Sequence, residues 1–137
     1  MRPLVNVTWD GGVRFTADIR GHKVHVDQPR QGGGEDSAPG PLELVPAALG
    51  TCVAYFVEQF LTTRGVDPTG LEVAVGVAGA PDPHRIGRFE VRVKTPAGMP
   101  ERYRDAVVRA AETCTVHHTL SHTPEIAVTL EEAALAV

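Results

Sequence analysis

Fourteen consecutive residues, Leu44 to Val57 (LVPAALGTCVAYFV), carry no charge, and this run constrains the fold more than any other segment. It is shorter than the roughly 20 apolar residues a bilayer requires, and Glu58 and Gln59 follow it directly. It therefore reads as part of a helix enclosed by protein, with no membrane partner. Pro41 suits the first turn, and Glu43 sets negative charge at the positive end of the helix dipole. Leu44, Ala48, Cys52, Phe56 and Phe60 recur at four-residue intervals, with Val45, Leu49, Val53, Val57 and Leu61 in the adjacent row. A face this wide needs other structure around most of its circumference. Gly65, Pro68 and Gly70 end the helix, which is predicted over 41–63.

A chain of 137 residues fits a single domain, 1–137. Apolar residues at 42% and charged residues at 22% are ordinary globular usage. Thirteen Lys and Arg against seventeen Asp and Glu give a net charge of −4, which argues against nucleic acid or an anionic membrane as partner. Met1-Arg2-Pro3 leads into alternating residues rather than a basic and apolar leader. Two cysteines are too few for a disulfide-stapled secreted fold, so the expected location is the cytoplasm, with reduced thiols.

The flanks alternate. Val5, Val7 and Trp9, then Val13, Phe15, Ala17 and Ile19, sit either side of Asp10-Gly11-Gly12, a hairpin signal. A third run covers Lys23–Val26, and a glycine-rich loop, Gln31–Gly40, precedes the helix and suggests either mobility or a role at a site. After the helix, Leu71, Val73, Val75 and Val77, then Phe89, Val91 and Val93, alternate around Pro81-Asp82-Pro83 as an antiparallel pair. Tyr103, Ala106, Val107, Ala110, Ala111 and Cys114 mark one face of a second helix starting near Pro100. A polar segment, Thr115–Thr123, leads to a last strand with Ile126, Val128 and Leu130 inward. The order βββ-α-ββ-α-β predicts an α+β domain with helices against antiparallel sheet.

Both cysteines fall on apolar helix faces, where an unpaired thiol commonly acts as a small core hydrophobe. Two helices can equally bring the sulfurs together, and a bond between them closes a loop of about 62 residues, worth roughly 4 kcal/mol. A reactive Cys52 sits mid-helix, too far from its own N-terminus to use the dipole, so its thiolate calls for a cation from elsewhere. Arg14, Arg20 and Arg30 are the candidates, and Glu43 can orient one of them through a bidentate pair. Cys114, His117, His118 and His122 lie within nine residues. That density leaves open a zinc site, a His-activated Cys114 nucleophile, or a plain helix-capping segment.

The segments Gly33–Leu44, Ala47-Ala48-Leu49-Gly50-Thr51-Cys52 and Cys114-Thr115-Val116-His117-His118-Thr119-Leu120 resemble the OsmC/Ohr superfamily, named for osmotically inducible protein C and organic hydroperoxide resistance protein. The resemblance covers nearly the whole chain. It implies an OsmC-like fold, antiparallel sheets around a long central helix, assembled as an intertwined homodimer in which each helix is covered by the partner. It also implies a two-cysteine hydroperoxide reductase without a cofactor, acting on organic hydroperoxides. In that reading Cys52 is the peroxidatic thiolate and Cys114 resolves its sulfenic acid to a disulfide. Arg14 stabilises developing charge, Glu43 holds the arginine, and Val53 and Phe56 line an apolar substrate pocket. A dithiol, of the dihydrolipoyl type in the Ohr branch, restores the thiols. In that branch the orienting acid stands one residue earlier, where this chain has Leu42, and one residue turns a helical side chain by about 100°. The alternative class is a non-catalytic module holding a small lipophilic ligand in the dimer pocket.

Overall fold

A computed structural model describes residues 3–135. Three strands, β1 (Val5–Trp9), β2 (Phe15–Ile19) and β3 (His22–Val26), form an antiparallel sheet in the order β1-β2-β3. Asp10 N–H donates to the Arg14 carbonyl at 2.9 Å, and Arg14 N–H to that of Gly11 at 3.0 Å, closing the first hairpin. Gly11 and Gly12 hold φ of 101° and 57°, conformations that side-chain-bearing residues rarely adopt. The pairing Val5↔Ile19, Val7↔Ala17, Trp9↔Phe15 and Phe15↔Val26 gathers the apolar residues on one face. Thr8, Thr16, Asp18, Lys23 and His25 take the other.

The chain then crosses to its main helix through a loop organised by one carboxylate. Asp27 is buried, and accepts the N–H groups of Gln28, Glu35 and Ser37 at 2.8, 3.2 and 3.1 Å and the Ser37 hydroxyl at 2.6 Å. The Ser37 hydroxyl leads these donors in holding the Asp27 carboxyl far below the usual carboxylate range. The glycine-rich stretch is thus a tied loop, which decides against mobility.

A 3-10 turn, Pro41–Glu43, opens α1 (Leu44–Thr63), within the predicted bounds. By length and composition Pro41–Thr63 could cross a membrane. Packing makes it a core helix: Leu49, Val53, Val57 and Leu61 are buried, facing the antiparallel hairpin β4 (Glu72–Ala80) and β5 (Arg85–Lys94) and the helix α2 (Arg104–Glu112). Leu71, Val73, Val75, Phe89 and Val93 complete that core from the sheet. Gly50 allows close approach, since a Cβ there would sit 3.1 Å from Val75 Cγ2. The opposite side, with Ala47, Ala48, Thr51 and Tyr55, is exposed.

The architecture is α+β with two antiparallel sheets and a long central helix, as expected. Two local readings need correction. The polar segment after Cys114 is a short helix, α3 (Thr115–Ser121): the Cys114 Sγ caps it by accepting the His117 N–H, the His118 N–H reaches the Cys114 carbonyl at 3.0 Å, and the hydroxyls of Thr119 and Ser121 are satisfied by the Thr115 and His117 carbonyls, both at 2.8 Å. The last strand pairs with nothing among the described residues, and Ile126, Val128 and Leu130 are 82%, 90% and 96% exposed. Alternation makes a strand only where a neighbouring edge pairs with it, and no edge of the two sheets pairs with this segment. The β1–β3 sheet likewise has no more than marginal contact with the helices of its own chain.

Candidate active site

Cys52 lies midway along α1, half-buried, one row round from the core-facing residues. Cys114 is fully buried at the start of α3, where its Sγ accepts the His117 N–H at 3.3 Å and caps that helix. Both are free thiols, and they are near enough that each acts on the acidity of the other.

The two sulfurs are not equivalent. Burial pushes Cys52 up, but the Cys114 thiol and the backbone N–H groups of Val116 and Thr115 outweigh it, and the Cys52 pKa falls below that of an ordinary thiol. Burial and the bond to Cys52 push Cys114 up, against the His117 N–H. The pair is therefore polarised, with Cys52 as the better thiolate and Cys114 as the donor that supports it.

No arginine is among the groups that set the acidity of Cys52. Cys52 lies too far along α1 to use the dipole of its own helix. The first turn of a second helix, α3, turns its free N–H groups toward that sulfur instead. Thr115 and Val116 were missed as functional residues because they act through backbone. No side-chain pattern in Cys114-Thr115-Val116-His117-His118 signals that role.

The other candidates are spread out. Arg14 Nη1 meets Glu35 Oε2 at 3.3 Å. Glu43 Oε1 accepts the Gly40 N–H at 2.9 Å, capping the turn before α1, so within one chain it does not hold Arg14. Val53 lines a cavity of about 530 Å³ between α1, β5 and α2, together with Leu49, Val93, Met99 and Val107. Neither cysteine lines that cavity, although His117 stands at its edge. Phe56 follows Cys52 by one turn and packs edge-on against Tyr55, with ring centroids 5.3 Å apart. His117 Nδ1 faces the Glu112 carbonyl at 3.3 Å and His122 Nδ1 that of His118 at 2.9 Å. Among the described residues no three His, Cys, Asp or Glu side chains converge as a metal site.

Residues 33–129 match the family model described as OsmC-like protein. Comparison with curated proteins returns no match. Solved structures share the fold. A protein of Psychrobacter arcticus 273-4, provisionally assigned to osmotic stress induction and the detoxification response, has a TM-score of 0.78 at 20% identity, covering 87% of this chain and 88% of its own. An OsmC-like protein of Mycoplasma pneumoniae has a TM-score of 0.72 at 14% identity, covering 85% of each chain. An organic hydroperoxide resistance protein of Legionella pneumophila has a TM-score of 0.58 at 20% identity, covering 85% of this chain and 88% of its own.

Proposed function

The chain belongs to the OsmC-like protein family, and from that membership we propose that it is a thiol-dependent peroxidase reducing organic hydroperoxides to alcohols. The observation that carries the reading is the pair of free thiols, Cys52 midway along α1 and buried Cys114 at the start of α3, each acting on the other, with Cys52 the more acidic. The Cys52 thiolate attacks the distal peroxide oxygen, and the O–O bond breaks. The sulfur leaves as sulfenic acid, and the alkoxide takes up the proton that the thiol had lost. Cys114 then attacks the sulfenic sulfur, releasing water and forming the Cys52–Cys114 disulfide. A dithiol, of the dihydrolipoyl type by family analogy, reduces it again. The reaction runs in the cytoplasm, where such a pair cycles instead of stapling the fold.

The working unit in this reading is a homodimer. Three open surfaces support it: the apolar face of the β1–β3 sheet, the exposed side of α1, and the unpaired strand around Ile126–Leu130. Arg14, on a sheet with no more than marginal contact to the helices of its own chain, then meets a thiol across the interface. There its guanidinium stabilises the thiolate and the leaving alkoxide, and Phe56 lies on the organic side of the site.

Titrating reduced protein with tert-butyl hydroperoxide while counting thiols tests the reading. One equivalent should consume both thiols, and Cys52→Ser should abolish turnover. Persistence of both thiols over minutes at millimolar peroxide refutes it. A second reading, a non-catalytic module for a lipophilic ligand, is favoured by the cavity beside α1, which has an apolar wall of Leu49, Val53, Val93, Met99 and Val107 under a rim with Glu101, Arg104 and Glu112, and which neither cysteine lines. It requires ligand-dependent thermal stabilisation to survive replacement of both cysteines by Ala.

A further inference from the structure

We propose that Glu35 is the acid that positions Arg14 for the thiol reaction, a role the sequence pattern gives to Glu43. The inference rests on the peroxidase reading above. Position 42, where the Ohr branch carries its orienting acid, is a leucine here, and the Glu43 carboxylate is already engaged by the Gly40 N–H at 2.9 Å. Asp10 is the next acid along the hairpin, and its Oδ2 is engaged by the Thr16 hydroxyl at 2.5 Å, which in turn meets His25 Nδ1 at 3.0 Å. Glu35 is the acid whose carboxylate reaches Arg14, Oε2 to Nη1 at 3.3 Å, from 21 residues away.

Both partners stand on fixed backbone. Arg14 closes the hairpin through its own N–H and carbonyl, and its guanidinium folds back over the turn, with Nη2 3.7 Å from where a Gly11 Cβ would be. Glu35 donates its backbone N–H to the buried Asp27 carboxylate, between Gly34, whose N–H meets the Pro29 carbonyl, and Asp36, whose N–H meets that of Gln28. Arg14 also lines a hollow of about 270 Å³ with Asp10, Phe15, His25, Val26, Ser37 and Ala38.

An exposed ion pair adds little to folding. Its value here is directional. A guanidinium presents five N–H donors in one plane, so a carboxylate held at Nη1 leaves donors free to aim at a sulfur or an alkoxide oxygen. Glu35 is thus a positioning residue that acts through Arg14.

The test measures the second-order rate of Cys52 oxidation by tert-butyl hydroperoxide, and its pH profile, in the wild type, Glu35→Gln, Arg14→Gln and the double variant. Glu35→Gln should slow oxidation by about tenfold, with thermal unfolding unchanged. Glu35→Asp should restore part of the loss. In the Arg14→Gln background Glu35→Gln should add nothing. Wild-type rates in Glu35→Gln, or losses that multiply in the double variant, overturn the proposal. An Arg14→Gln variant with wild-type rates also overturns it, yet leaves the Cys52 peroxidase standing. Only an unreactive wild-type Cys52 removes the peroxidase reading itself.

Discussion

Trp9 offers a direct measure of whether the open sheet face is an interface. It is the only tryptophan in the chain and is 68% exposed in a single copy. A tryptophan presents roughly 250 Å², so about 170 Å² awaits cover, and at ~25 cal/mol per Å² that is about 4 kcal/mol. Alanine retains only the Cβ, which leaves a loss of about 3 kcal/mol per copy on the same scale. A two-fold symmetric dimer carries the substitution twice, so Trp9→Ala should cost about 6 kcal/mol and raise the dimer dissociation constant by about four orders of magnitude. The bond from Trp9 Nε1 to the Gly12 carbonyl, 2.9 Å and exposed, contributes little to this sum. Sedimentation equilibrium across a concentration series reads the constant. Wild-type emission should shift to the blue as concentration rises and Trp9 leaves water. A Trp9→Ala dimer as tight as the wild type, or emission that stays solvent-like at every concentration, refutes the reasoning.

The thiol pair gives a second expectation: Cys114→Ala removes a donor to Cys52, so alkylation of Cys52 by iodoacetamide should require higher pH than in Cys114→Ser, which keeps a donor. Asp27 gives an acid dependence. Its folded pKa lies below the ordinary 3.8, so its contribution to stability is complete above that value and is lost as pH falls through the folded pKa. Asp27→Asn should flatten the acid limb of denaturation curves below pH ~4, the ordinary carboxylate range. Gly34→Ala would set a Cβ 2.0 Å from the Gln28 carbonyl oxygen and 2.6 Å from Asp27 Oδ1, so the loop must move. A loss of about 1–3 kcal/mol in urea unfolding is expected, with slower Cys52 oxidation if Glu35 shifts alongside.

The parts of the fold legible in sequence are those decided within a few residues. Asp10-Gly11-Gly12 carries its own backbone preference, and the row Leu49, Val53, Val57 and Leu61 carries its own period, so hairpin and helix follow directly. Residues 126–130 carry an equally clear period, but a strand is a relation between two edges, and that information is not in the segment. The site divides in the same way. Cys52 and Cys114 announce themselves by residue type, whereas the N–H groups of Thr115 and Val116 have no side-chain signature. Glu43 was legible as an acid near a helix start, and that is how the fold uses it. Its pairing with Arg14 depended on tertiary placement, which gave the contact to Glu35.

Ile126, Val128 and Leu130 have a consequence for how stability is measured. A segment outside any sheet with bare apolar side chains at alternate positions is a template for a strand that meets it. In the proposed homodimer the folded form draws free energy from the other copy, and its melting temperature should climb with protein concentration instead of being a constant of the sequence. During refolding the same edge is exposed before the correct mate arrives, so yield should peak at intermediate dilution, falling toward aggregates above it and toward unassembled chains below.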